Sequence, residues 1–318
     1  MKIKTTLALG GGGVRGFAHI GVLKVFEKES FPVDSIVGTS IGAIIGAGFA
    51  LYKDVGKLEE FVSSAINREE IKEIEKFFTQ SSSSEDRTVL NRFSETIKSI
   101  ARLRKKWIFE ADKMRNVIKL FIPEDVDFSD LKLPFACVTA DIFSGERIIL
   151  KEGNLLNAVL ASSSIPGVFP PQKLGNRFLV DGGIISKLPV EEAKIFKSGF
   201  VLGVNVESFE HSKELKDGID ITLRVNHIMS HWLNTYNVGR ADFVISPDLQ
   251  GLGWALFSKG LFCIKQGEEA AGSVAGELKR AWRRKKFRRY FNILPFCRPV
   301  EPDLYGGVPK RTNGPHSK

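Results

Sequence analysis

Residues 35–50 read SIVGTSIGAIIGAGFA. A short β-branched run, Ser35 to Val37, enters the turn Gly38-Thr39-Ser40-Ile41-Gly42, and an apolar helix rich in Ala and Gly, Ala43 to Ala50, leaves it. Strand, sharp turn and helix in that order form the G-x-S-x-G elbow, whose strained turn lifts a serine hydroxyl above a sheet. Small residues on either side, here Gly38 and Gly42, let neighbouring backbone pass. Gly42 and Gly46 stand at GxxxG spacing, but the apolar stretch Ile41 to Tyr52 is about half the ~20 residues of a membrane span. The spacing therefore predicts close packing of helix on sheet.

The preceding segment repeats the pattern. An apolar strand, Thr5–Leu9, runs into GGGGVRG at 10–16, and a helix follows with Ala18, Val22, Val25 and Phe26 on one face and Lys24, Glu27 and Lys28 on the other. Gly11, Gly13 and Gly16 also satisfy G-x-G-x-x-G, the dinucleotide-binding turn. That fold places an acid at the end of the second strand. Here Asp34 precedes the strand Ser35–Val37, and the strand ends in the serine turn, so the dinucleotide reading fails. No Lys-Ser/Thr pair makes it a Walker loop. The glycine run reads instead as a loop at a helix N-terminus whose amides, at Gly11, Gly12 and Gly13, face developing negative charge as an oxyanion hole. Further short apolar runs at Phe135–Thr139, Arg147–Leu150, Phe178–Val180, Phe200–Val206 and Phe243–Ile245 read as strands. Helical patterns between many of them predict an α/β fold: a mostly parallel central sheet with helices on both faces in three layers.

A third glycine turn, Asp181-Gly182-Gly183, follows the strand Phe178–Val180. Asp-Gly is a common turn pair, so its weight depends on the other two motifs. Together they supply a nucleophile, amide donors and a carboxylate. Histidine does not complete a triad. His211, His227 and His231 fall in polar or helical surroundings, His316 is in the tail, and His19 sits just inside the first helix. The expectation is a Ser40–Asp181 dyad. The run ASSSIPGVFPP at 161–171 reads as a helix end and a rigid loop lining a pocket, and Asp141 as a strand-end turn. Cys137, Cys263 and Cys297 are odd in number, far apart and without metal spacing, which suggests a reducing compartment and no disulfide frame. No HExxH or EF-hand pattern is present, so neither metal nor organic cofactor is expected.

Of the 318 residues 43% are apolar and 26% charged, ordinary for a globular chain. The apolar run Leu7 to Leu9 is too short for a signal peptide, and the chain is expected to be neither secreted nor membrane-spanning. The formal charge of +9 is concentrated: KRAWRRKKFRR at 279–289 holds eight cations and no acid. That segment is either a solvated helix end or a docking patch for anionic lipid over residues 279–291. No recognition motif accompanies it, so no nucleic acid is expected. Between about 67 and 123, the sets Ile71, Ile74, Phe77 and Phe78, then Leu90, Phe93, Ile97 and Ile100, then Met114, Val117, Ile118 and Phe121 fit helical spacing, with a serine-rich linker Thr79 to Asp86. This helical insertion either packs on the sheet or caps a lipid site. The expected organisation is one domain over 1–275 and a basic, partly disordered extension over 276–318.

Taken together the motifs resemble the patatin-like phospholipase family, in its bacterial branch related to neuropathy target esterase. Gly11 to Gly16, with Arg15, match its glycine loop. Gly38-Thr39-Ser40-Ile41-Gly42 match its elbow, Asp181-Gly182-Gly183 its Asp-Gly-Gly turn, and Ser163, Pro166, Phe169 and Pro171 its Ser-x-x-Pro-x-x-Phe-x-Pro loop. Gly10 departs from the Asp that many members carry there. The resemblance, over about residues 5 to 275, implies a patatin-like three-layer fold and a cytoplasmic hydrolase that meets the inner face of the membrane. Its substrates would be acyl esters of phospholipids or lysophospholipids. A non-catalytic lipid-binding protein on the same scaffold is the alternative. Acyl length, headgroup and oligomeric state are not written in these motifs.

Overall fold

The computed structural model describes residues 3–80, 107–207 and 218–290. Its sheet has a parallel body, β8(Phe243–Ile245)–β7(Phe200–Val204)–β1(Thr5–Leu9)–β2(Ser35–Thr39)–β3(Phe135–Asp141). β4(Arg147–Leu150) pairs antiparallel with β3, and β5(Gln172–Leu174) with β6(Arg177–Asp181). β5 carries no apolar alternation, so the sequence pattern gave no sign of it.

The register around β3 does most to shape the molecule. β4 occupies one edge of β3 along Cys137–Ala140. β2 pairs with Phe135–Val138 and β6 with Thr139–Asp141, so both must use the other edge. β2 runs parallel to β3 and stops opposite Val138; β6 comes down antiparallel and stops opposite Thr139. The C-terminal ends of two strands thus meet head to head, and the residues leaving them are Ser40 and Asp181.

Alternation along the buried strands sorts the core onto two faces. Leu7, Leu9, Ile36, Phe135, Cys137 and Leu202 join the larger cluster; Ala8, Val37, Ala136 and Val138 point to the smaller one. Helices α1(Ala18–Lys28), α2(Ile41–Tyr52), α3(Val55–Ala65) and α6(Leu155–Ser162) belong to the larger side. So do α4(Glu69–Gln80) and α5(Ala111–Ile118), with Ile71, Ile74, Val117, Ile118 and Phe121 buried. The described part of the 67–123 insertion is therefore core as well as cover. The expected helix over Leu90 to Ile100 and most of the serine-rich linker lie outside the described residues. The smaller face is closed by Leu188, Val190 and Ala193 and by Val238 at the end of α7(Gly218–Val238).

α8(Gly260–Tyr290) runs through residue 276 without interruption. Its backbone lies directly on α1: a Cβ at Gly21 would stand 1.9 Å from the Ile264 carbonyl oxygen, and one at Gly267 1.9 Å from that of Ala18. Further along, Leu278 is buried, and the Trp282 indole N–H donates to Thr5 Oγ1 at 3.0 Å while its ring meets Phe31. Lys279 pairs with Glu29 at 2.6 Å and Lys285 with Asp242. The start of the expected extension thus belongs to the packed body; residues 291–318 lie outside the described ones. Thr5 opens β1, so the basic end of α8 sits at the N-terminal edge of the sheet. Ser40 leaves the opposite edge. Among the described residues, no helix is long and apolar enough to cross a membrane.

Candidate active site

Ser40 is the hinge between β2 and α2, with φ 56° and ψ −125°, a conformation costly for any residue with a side chain. The elbow is possible because of its glycines. A Cβ on Gly38 would lie 2.3 Å from the Gly42 carbonyl oxygen, and one on Gly42 would lie 2.2 Å from that of Leu9. The turn is fastened from below. The Ser40 N–H donates to Ser162 Oγ at 3.1 Å, and that hydroxyl donates to the Val138 carbonyl at 2.7 Å. Thr39 Oγ1 donates to the Ser186 carbonyl at 2.9 Å.

Asp181 ends β6 and is buried. Its N–H donates to the Ser164 carbonyl at 2.9 Å, and its Oδ1 accepts from the Gly183 N–H at 2.7 Å. The Ser40 side chain lies within reach of the same carboxyl group and favours its ionised form. Gly182 lies against the Val138 carbonyl, so the turn after Asp181 is as tight as the elbow it faces. Burial raises the Asp181 pKa from 3.8 to about 6, against the opposing effects of Ser40, the Gly183 hydrogen bond and the Lys187 charge. The run read as a helix end at 161–164 therefore holds both residues: Ser162 the backbone of one, Ser164 the backbone of the other. Clustered serines alone gave no sign of that, since the partners are remote in sequence.

The glycine loop passes beside Ser40, with the Gly11 Cβ position 3.2 Å from Ser40 Cβ. Its three amides are not equivalent. The Gly11 N–H donates to the Lys187 carbonyl at 2.9 Å, so an oxyanion role for this amide is corrected: the loop spends it on its own anchorage. The amides of Gly12 and Gly13 have no such backbone partner among the described residues. Gly13 has φ +60°, and a Cβ there would strike the Trp254 carbonyl at 2.2 Å. Arg15 is buried and its Nε donates to the Gly12 carbonyl at 3.1 Å, which steadies the loop. Gly16 abuts Ile41. His19 is fully buried, and its Nε2 lies 2.8 Å from the Gly10 carbonyl. Burial lowers its pKa to about 4 against that hydrogen bond, so the ring is neutral and Nε2 carries the proton donated to Gly10. It braces the loop from behind.

Ser40 opens into a cleft of about 650 Å³, counting the space open to solvent. Its walls are apolar: Ile44 of α2, Ile71 and Ile74 of α4, Met114 of α5, Phe169 and Trp254 among them. Among the described residues, no histidine lines it. Ser163 does, with a buried hydroxyl that has no hydrogen-bond partner among the described residues. Cys137 and Cys263 are buried, and burial pushes both thiols up, that of Cys263 to about 12, which leaves them unreactive. Among the described residues no group of three or more His, Cys, Asp or Glu side chains is placed to hold a metal ion. Asp34 accepts from the Thr5 N–H at 2.8 Å, at the far end of the sheet from the glycine loop.

The family model for patatin-like phospholipase matches residues 7–194, the span that holds the elbow, the glycine loop and the Asp-Gly-Gly turn. An uncharacterised NTE family protein of Mycobacterium tuberculosis is 30% identical over 207 residues, 65% of this chain and 50% of that protein. Patatin-like phospholipase domain-containing protein 6 of Homo sapiens is 30% identical over 277 residues, 86% of this chain and 18% of that protein. The chain thus spans about half the length of the mycobacterial relative and a small part of the human one. Among solved structures, VipD from Legionella pneumophila aligns with a TM-score of 0.46 at 11% identity, covering 87% of this chain and 67% of that one. The chain belongs to the patatin-like phospholipase family.

Proposed function

We propose that the protein is a serine hydrolase of lipid acyl esters, phospholipid or lysophospholipid, acting through Ser40 and Asp181. One observation carries the reading: a strained serine, within reach of a buried carboxyl group, stands at the wall of an apolar cleft. The cleft takes the acyl chain, and the ester carbonyl lies over Ser40. Asp181 accepts the hydroxyl proton as Oγ attacks the carbonyl carbon. An ordinary aspartate is a weak base for an alcohol, and burial brings this one closer to the operating pH. The oxyanion is met by the N–H groups of Gly12 and Gly13, each such donor worth about 3 kcal/mol. Collapse of the tetrahedral adduct expels the alcohol, which takes the proton back from Asp181. Water then attacks the acyl-enzyme, Asp181 accepting its proton and returning it to Ser40 as the fatty acid leaves.

Fluorophosphonate labelling of the purified protein tests this, with the modified peptide mapped by mass spectrometry. Label is expected on Ser40, and none in Ser40→Ala. Absence of label from the parent protein, even with vesicles present, would favour a lipid-binding protein that keeps the scaffold without the reaction.

A further inference from the structure

Helix α7 is built inside out. Among its described side chains the buried ones are polar: Asn234 and Asn237 are 3% and 5% exposed. Its exposed stripe is apolar: Ile221, Val225, Ile228, Met229, Trp232 and Tyr236 follow helical spacing, and Met229 and Trp232 are 64% and 54% exposed. From Ile221 to Ala241 the chain carries Arg224 and Arg240 and no acid, with Asp220 and Asp242 at the two ends and Arg240 paired with Glu191 at 2.9 Å.

The contacts of α7 show where this stripe points. Asn234 Nδ2 donates to Asn205 Oδ1 at 3.0 Å, just past the C-terminal end of β7, and Val238 packs on the smaller core lower down. Residues 221–233 therefore lie on the other side of this contact from Val238, at the end of the sheet that carries Ser40. His227 lies there within reach of the charges of Lys187, Glu207, Arg224 and Arg15, the last of these in the glycine loop.

We propose that this stripe docks the protein on an anionic bilayer and sets the mouth of the Ser40 cleft at the lipid surface. An exposed apolar stripe that carries Trp232 and Tyr236, with Arg224 and no acid among its residues, is what the headgroup boundary of an anionic bilayer accepts. A second copy of the chain is the competing occupant, and sedimentation separates it from a bilayer. The proposal deepens the lipid-hydrolase reading and rests on it for the purpose of docking, though binding itself is measured without turnover.

The test is flotation of the full chain with vesicles of equal parts phosphatidylglycerol and phosphatidylcholine, beside turnover of the soluble ester p-nitrophenyl butyrate. Met229→Glu with Trp232→Glu is expected to weaken vesicle binding by at least about tenfold while turnover of the soluble ester stays the same. Met229→Gln with Trp232→Gln removes apolar area without adding charge, and a clear loss is expected there too. Unchanged flotation of both variants overturns the proposal. So does a parent protein that sediments as a dimer and variants that sediment as monomers, which would assign the stripe to a second copy. A parent inert toward the soluble ester would count against the Ser40 reading and leave docking to be decided by flotation.

Discussion

The two ends of the sheet are built on opposite terms. At the C-terminal end the backbone is strained, carboxyl and hydroxyl are buried together, a serine hydroxyl in the cleft wall lacks a partner, and a helix turns its apolar face outward. At the N-terminal end several polar groups are paired across the surface: Asp34 holds the Thr5 amide, Trp282 the Thr5 hydroxyl, Lys279 meets Glu29, and Lys285 meets Asp242, although the buried Ser198 hydroxyl before β7 has no partner among the described residues. The lesson concerns charge. The basic run at 279–289 attracts notice in the sequence as a membrane patch, yet it lies at the stable end. With 31 residues, α8 is about 46 Å long, and docking through its last turns would leave Ser40 facing away from the lipid. The less conspicuous helix, α7, stands at the reactive end.

Three variants sharpen this contrast. Asp181→Asn, at the reactive end, has the largest expected effect. Turnover should fall by about a thousandfold or more, because an amide cannot take the Ser40 proton. Stability should move the other way. A carboxyl whose pKa is raised on folding gives its full stability below the unfolded value of 3.8 and loses it as pH rises through about 6, a cost of about 3 kcal/mol at neutral pH. The parent should therefore lose stability between about pH 4 and 6 while its activity rises toward and above pH 6. Asp181→Asn should abolish this part of the pH dependence of stability. Denaturant melts over that range together with a pH–rate curve check both signs, and an activity limb set by a neutral histidine would break the dyad.

Leu278→Ala, at the stable end, should cost about 2–4 kcal/mol in a denaturant melt through the cavity it leaves, with the activity of the folded protein unchanged. Loss of activity out of proportion to stability would show that the two ends are coupled. The smallest effect is expected from Arg283→Glu with Arg284→Glu on the exposed surface of α8: within about 0.5 kcal/mol in stability, with little change in flotation. A loss of vesicle binding as large as that of the α7 variants would restore the basic segment as the docking patch.

Much of the fold was legible because its signals are local. Glycines that frame a serine, a strand of β-branched residues and a helix with an apolar stripe each report on adjacent residues, and β1, β2, β3, β4, β6, β7 and β8 all lie where such runs stand. β5 was not legible, since an edge strand reading QKL buries too little to show a pattern. The helical stripe in 67–123 left packing and capping open, and burial of Ile71, Ile74 and Val117 shows that its described part does pack on the core.

What the sequence determined by itself was an inventory: a serine elbow, a glycine loop, an Asp-Gly-Gly turn and the succession of strands and helices, because turn chemistry and hydrophobic period act over a few residues. Tertiary structure decided the rest, because contacts between distant residues set it. The shared edge of β3 brings Ser40 and Asp181 together across 141 positions of chain. The Lys187 carbonyl takes the Gly11 amide, while those of Gly12 and Gly13 have no such backbone partner among the described residues. Burial, a property of the packed chain and of no single segment, raises the Asp181 pKa and turns the apolar face of α7 outward.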